Sequence, residues 1–247
     1  MGNNHRLKDN NMLTTSVSRR GALGILGLGS AAFLAACSSS NSNGNGGDSG
    51  TSASSTSTRS DYSGEAKIDK FDTSAGTYEP ATRETPAKNV PKPIKPENMN
   101  ENSVAGLYSS IAFIGAALQY ALQTGDVSPI KESAMSDEDK ERTLSGALFA
   151  DLQGGNSWLA DPKIVMNFED AQPKEENGTY TWPVNVSVSQ GEYAVHDGEV
   201  VDFPEEQQKR TQKINFTAKY DNNKWSVGGF YETGGSDSSA SHDTQDS

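Results

Sequence analysis

The sequence predicts an α+β domain, three N-terminal helices packed on an antiparallel sheet, preceded by a disordered tether. Three observations predict it. Apolar residues recur at three- and four-residue steps from Val104 to Leu122, the spacing of one helix face. Apolar and polar residues alternate from Thr179 to Ser189 and again from Ile214 to Tyr220, the spacing of half-buried strands. All the helix-like stretches precede all the strand-like ones, so the helices are expected on one face of the sheet.

The chain opens on a targeting segment. His5, Arg6, Lys8, Arg19 and Arg20 stand against one acid, Asp9, and a glycine-studded apolar run of sixteen residues follows from Gly21 to Ala36. That run falls short of the roughly 20 residues of a membrane span and suits the apolar region of a secretory signal. Leu34, Ala35 and Ala36 directly precede Cys37, the only cysteine. This stretch resembles the lipobox of bacterial lipoproteins, which implies a diacylglyceryl group on Cys37 and cleavage after residue 36. Ser18-Arg19-Arg20-Gly21-Ala22-Leu23 is similar to a twin-arginine export signal, with Ala22 where an aromatic is usual. Paired arginines also open ordinary Sec signals, so both routes stay open. The expected address is the extracytoplasmic face of the cell membrane, with Cys37 joining the chain to membrane lipid.

The charge balance leaves attachment to lipid rather than to electrostatics. The net charge is −12; removing residues 1–36 takes away four Lys/Arg and one Asp, leaving 17 basic and 32 acidic residues, or −15. Such a balance excludes the basic footprint of nucleic-acid binding and a polybasic hold on anionic head groups. Two acyl chains anchor stably where one is marginal. With Cys37 acylated no thiol is left for a disulfide, and packing alone must hold the domain.

From Ser38 to about Gly64 the chain is nearly all Ser, Gly, Asn and Thr, the composition of a flexible linker. Residues 65–79 carry only isolated Ile68, Phe71 and Tyr78 and are expected to stay loose. Pro80, Pro86, Pro91, Pro93 and Pro96 then predict a stiffer, extended spacer. The expected organisation is a signal at 1–36, the lipidated cysteine and tether at 37–97, a domain at 98–232 and a disordered tail at 233–247.

Within the domain, Asn98 to Glu101 reads as a capping-box-like start. Val104, Leu107, Tyr108, Ile111, Ile114, Leu118 and Leu122 then form one helical stripe, which Gly125 stops. Ser128-Pro129 starts a short helix ending near Met135. Ser136 caps a third helix whose first turn holds Asp137, Glu138 and Asp139, acids that complement the helix dipole; it runs to about Gln153. Strands follow at 164–168, 179–189, 193–195, 200–201, 214–220 and 225–227. Tight turns fall at Asn177-Gly178, Asp197-Gly198 and Asp221-Asn222-Asn223. Pro183 suits an edge or a bulge. Tyr180, Trp182, Val184, Val186, Ile214, Phe216 and Trp225 are expected to face Leu107, Ile111, Ile114 and Leu118.

This order, with Thr124-Gly125-Asp126, Pro129-Ile130 and the closing Asp221-Asn222-Asn223-Lys224-Trp225-Ser226-Val227, resembles the NTF2-like (SnoaL-like) cone. More narrowly it is similar to an uncharacterised family of actinobacterial surface lipoproteins, in which a lipobox and a Ser/Pro-rich tether precede a domain. The likeness covers about residues 85–232 and is best over 104–130, with Ala117 to Ile130 carrying the family-like stretch. Many members carry a cysteine pair shortly after this stretch; Ala134 to Asp139 hold none here, so no disulfide carries over. The resemblance implies location and fold, and no activity.

The residues offer little chemistry. His5 falls in the signal and His242 in the tail, leaving His196 alone in the domain, where it reads as a hairpin residue. Histidines and thiols for a metal site are missing, no cofactor motif is present, and no catalytic set emerges. Two functions stay open. One is a non-catalytic binding or scaffolding domain facing a cell-envelope component or a protein partner. The other is a small-molecule enzyme or ligand-binding cone, with Asp126 or Glu169 as carboxylate and Tyr108, Tyr180 and Trp182 lining the pocket.

Overall fold

In the computed structural model the described residues are 59–231. Arg19, Arg20, Leu34, Ala35, Ala36, Cys37, residue 232 and the expected tail at 233–247 lie outside them. The elements run β1 (Gly64–Glu65), β2 (Phe71–Asp72), β3 (Lys92–Pro93), α1 (Val104–Thr124), α2 (Ser128–Glu132), α3 (Asp137–Leu144) and α4 (Ala147–Gln153). They continue β4 (Trp158–Leu159), β5 (Lys163–Phe168), β6 (Lys174–Glu176), β7 (Thr179–Ser189), β8 (Tyr193–His196) and β9 (Glu199–Asp202). The last are α5 (Glu205–Gln208), β10 (Lys209–Asp221) and β11 (Lys224–Gly228).

The two long alternating stretches pair with each other and set the architecture. β7 and β10 are antiparallel from Thr179↔Lys219 to Ser189↔Lys209. Around them the main sheet runs β1-β5-β7-β10-β11, with β6 beside β7. β4, β8 and β9 form a separate three-stranded sheet, and β2 pairs with β3. Three hairpins turn on two residues with positive φ: Asn177-Gly178, Asp197-Gly198 and Asn222-Asn223. That geometry matches the twist of the flanking strands and favours Asn, Asp and Gly.

The core follows from the two periodicities. Trp182, Val184 and Val186 of β7 and Ile214, Phe216 and Ala218 of β10 join Leu107, Ile111, Ile114 and Leu118 of α1 in one buried cluster. Ser103 caps α1 by accepting from the Gly106 amide, and Gly125, at φ 75°, ends it. A Cβ at Gly125 would sit 2.4 Å from the Leu152 carbonyl oxygen, so glycine is needed for close approach as well as for the turn. Among the described residues α1 is the one helix long and apolar enough to cross a membrane, and most of it is buried inside the domain.

The expected arrangement of three N-terminal helices on a sheet, the NTF2-like cone, is not what the chain adopts. Strands β1 to β3 precede the first helix, and of five helices among the described residues only α1, with 21 residues, is long. The predicted third helix breaks into α3 and α4 because Gly146 takes an extended conformation (ψ 143°). The architecture is mostly antiparallel sheet with one long helix across it.

The tether expectation fails over 59–97 for a related reason. Gly64 and Glu65 pair with Phe168 and Asn167 of β5, while Tyr62 and Val90 are buried. The Pro-rich run lies along β4, β8 and β9: the Trp158 indole donates to the Thr82 carbonyl at 2.8 Å, the Tyr193 hydroxyl donates to the Ala81 carbonyl at 3.3 Å, and Arg83 pairs with Asp202. Edge pairing uses backbone groups that any sequence carries, so it leaves no hydrophobic period to read. This segment is a strap on the domain. Pro183, too, sits away from any edge. Its carbonyl accepts from Glu169 on the β5 side, where β5 ends and β6 has not begun, so the missing N–H costs no ladder bond.

Candidate functional site

The residues expected to line a pocket do not converge. Tyr108, Phe168 and Trp182 stack in sequence, with ring centroids 5.2 and 4.3 Å apart, and Tyr62 of the strap closes the group at 5.1 Å from Tyr108. Trp182 thus fills core, and Tyr108 packs in the same group while also bordering the groove beside Arg59, Lys67 and Ile94. Tyr180 packs edge-on against Trp225 at 5.2 Å. Glu169 follows core-facing Phe168 and so points to the opposite face of the sheet, where it pairs with Lys213 and accepts from Asn185. The bond from Lys213 holds its carboxyl below the ordinary range. Asp126 lies beyond the far end of α1, about 27 Å along the helix from Tyr108 at 1.5 Å per residue.

Asp126 instead clasps the strap. Its carboxylate meets the Lys92 ammonium at 3.0 Å, and the same ammonium reaches the Ser128 hydroxyl. Burial works to raise the Asp126 carboxyl, but the Ser128 amide and hydroxyl and the Lys92 ammonium outweigh it and hold the pKa below the usual 3.8. A depressed folded pKa means the ionised clasp stabilises fully above the unfolded value and is lost as pH falls through the folded one. The stability gap between wild type and Asp126→Asn is therefore expected to stay constant from neutral pH to about pH 4 and to close below it. Urea titrations at stepped pH check this; a gap that widened on acidification would contradict it.

His196 stands half-exposed at the β8–β9 turn. Its Nδ1 lies 3.3 Å from the Ser157 hydroxyl and 3.7 Å from the Asp151 carboxylate. The Asp151 carboxylate shares Nδ1 with the hydroxyl, and the Asp197 carboxylate stands 3.7 Å from Nε2, beyond hydrogen-bond reach, so the hydroxyl, ring and carboxylate are not joined as a proton relay requires. Among the described residues no group of three or more His, Cys, Asp or Glu could hold a metal ion.

One of several concave features among the described residues is a cleft of about 260 Å³ beside α1. Its floor is Ala112, Gly115 and Ala116, small residues at helical spacing, continued by Gln119, Tyr120 and Gln123. The strap residues Ile68 and Phe71 form one wall and Ile164 and Met166 of β5 the other. The cleft exists because the strap leaves the β5 edge. Ala66 still donates to the Met166 carbonyl at 2.8 Å, but two residues earlier in β5 the Ile164 amide is satisfied by the Gln119 side chain at 3.0 Å. A Cβ on Gly115 would come within 3.3 Å of the Met166 sulfur. Tyr120 bounds the polar end, its hydroxyl pKa raised by burial and by Asp126, with the Lys92 ammonium 5.8 Å from its ring centroid.

Sequence reasoning missed this cleft. The small-residue row on α1 was visible, but half of the cleft belongs to the strap, which carries no period. One comparison with known proteins bears on the extent of the domain, and it leaves out β1 and β2. The chain belongs to a family of unknown function, DUF6318, whose model matches residues 76–230 and so takes in the Pro-rich segment. No curated protein and no solved structure matches the chain.

Proposed function

We propose that this chain is a lipid-anchored protein of the extracytoplasmic membrane face whose domain is a non-catalytic binding module. The observation that carries the proposal is Leu34-Ala35-Ala36-Cys37, an apolar residue and two small ones before the chain's only cysteine, at the end of an export-like apolar run. Replacing Cys37 with serine is expected to release the protein into the medium or to leave an uncleaved precursor. A mature Cys37→Ser protein that stayed membrane-bound in fractionation would overturn the anchor.

Binding is assigned to the α1 cleft, whose apolar floor and flanking amides of Gln119 and Gln123 suit a small, extended, partly apolar ligand. A leucine at Gly115 fills that floor. Native mass spectrometry of protein taken from its own membrane is expected to show a small molecule retained by wild type and lost in Gly115→Leu. Equal retention by both, with both folded, would remove the cleft as the binding site.

A further inference from the structure

Strand β10 outruns one of its neighbours. It pairs with β7 from Lys209 to Lys219, but β11 reaches only from Lys224, opposite Asp221, to Gly228, opposite Thr217. Gly229, at φ 98°, then turns the chain off the edge and donates its amide to the Asp139 carboxylate at 3.1 Å. A Cβ on Gly229 would lie 2.8 Å from the Asn215 carbonyl oxygen, so Asn215 turns its backbone groups toward the β11 side. Successive residues of a strand alternate in this direction, so the amides and carbonyls of Lys213 and Thr211 turn the same way. Among the described residues no strand or side chain pairs with them there.

Other edges of the same sheet are closed. The Ser136 amide donates to the Val227 carbonyl at 2.7 Å and the Val227 amide to the Ala134 carbonyl at 2.8 Å, which seals the far side of β11. Strand β1 and the Gln119 side chain do the same for β5. The open stretch of β10 instead borders a groove of about 780 Å³, lined on its other sides by the start of α3 and by residues 228–231. These walls are held in place: Asp139 accepts from the Ser136 hydroxyl as well as from Gly229, and the Thr143 and Tyr231 hydroxyls meet at 2.8 Å. An unpaired edge beside a preformed groove is a template for another strand.

Charge selects what that strand can be. Residues 98–231 carry ten Lys/Arg and twenty Asp/Glu, a net of −10, whereas 209–215 carry Lys209, Arg210 and Lys213 and no acid. Lys213 is bridged to Glu169, and Arg142 of the groove to Glu138. Lys209 and Arg210 are exposed and enter no ion pair among the described residues. A second copy laid edge to edge would set these cations against their own like, which disfavours self-pairing. An extended acidic segment gains twice: its backbone continues the ladder, and its carboxylates meet the cations.

We infer that the open edge of β10 is a strand-addition site for an extended acidic segment of a partner protein. The segment pairs with the backbone of Thr211 and Lys213 and directs carboxylates toward Lys209, Arg210 and Lys213. The site shares no lining residue with the α1 cleft, and it needs neither a ligand there nor the anchor at Cys37.

The test uses the full-length protein in mild detergent and a short fluorescent peptide of alternating glutamate and valine. A copy N-methylated along its whole backbone keeps the charge and cannot pair, and a lysine–valine peptide reverses the charge. Anisotropy is expected to show binding of the first peptide alone, weakening as salt is added. Hydrogen exchange over 209–215 is expected to slow when it binds. Thr211→Pro removes one amide that faces away from β7, so it costs the sheet no ladder bond; it should weaken binding about tenfold, as should Arg210→Glu. Circular dichroism checks that both variants fold, and the N-methylated peptide tests the pairing with no variant at all. Equal binding of the N-methylated copy would reduce the site to a charged surface and overturn strand addition. Failure of the glutamate–valine peptide to bind would overturn it as well. Dimers in sedimentation that Thr211→Pro dissolves would give the edge to a second copy and remove the partner.

Discussion

Replacing Trp182 with alanine is expected to lower the unfolding free energy by about 3–5 kcal/mol, the range for large aromatics removed from a core. Trp182 is 1% exposed and belongs to the cluster that joins β7 to α1. Its ring lies 4.3 Å from Phe168 and 6.1 Å from Tyr62, centroid to centroid. Its indole also donates to the Asp170 carbonyl at 3.0 Å, so alanine leaves a cavity and an acceptor without its donor. Chemical denaturation measures the loss, and Trp182→Phe should recover part of it. A loss under about 1 kcal/mol, the typical size of an ordinary substitution, would mean that this end of the core is not packed as described.

The second large effect comes from shortening the chain. A protein starting at Asn98 is expected to melt well below one starting at Arg59, or to lose its cooperative transition. The strap buries Tyr62 and Val90 and packs Ala66 and Ile68 against the core cluster. Burying one such large side chain contributes about 1.5–3 kcal/mol, and the whole domain is worth only about 5–15. Without the strap the edge of β5 also stands open, a template for pairing with another chain. At about 2–4 °C per kcal/mol for a domain of this size, a loss near 4 kcal/mol lowers the midpoint by roughly 10–15 °C. Equal melting of the two chains would return the strap to the status of a spacer. The two effects are coupled through the Tyr62–Trp182 contact. Trp182→Ala should therefore cost less in the shortened chain than in the longer one.

How far the fold could be read depended on whether a residue's role left a period. The α1 stripe from Leu107 to Leu122 and the alternation at 179–189 and 214–220 are repeats of side-chain chemistry, and they named most of the core. The hairpin turns at Asn177-Gly178 and Asp197-Gly198 were legible because positive φ selects few residue types. Helix order, by contrast, misled. Ser136 to Gln153 carries helical signals throughout, yet Gly146 divides it. Pro183 reads as an edge residue, yet it stands in the central strand opposite a gap that other segments create.

The candidate site was the least legible part. Asp126, Glu169, Tyr180 and Trp182 have the residue types of a pocket, but their positions on opposite faces and ends of the sheet and helix commit each to a separate partner. The small residues Ala112, Gly115 and Ala116 were visible as a row, but the roles of Gly115 and Gln119, making room beside Met166 and satisfying the Ile164 amide, exist only once β5 lies against α1.

By itself, then, the sequence determined the export-like run and its cysteine, the charge, the long helix and the two long alternating strands. Each is written in local composition or in a repeat that one chain segment carries alone. Only the tertiary structure decided that residues 59–97 belong to the domain, that the carboxylates serve as clasps, and that a cleft opens beside α1. Those outcomes depend on backbone pairing and on contacts between segments far apart in the chain, and neither leaves a pattern within any one of them.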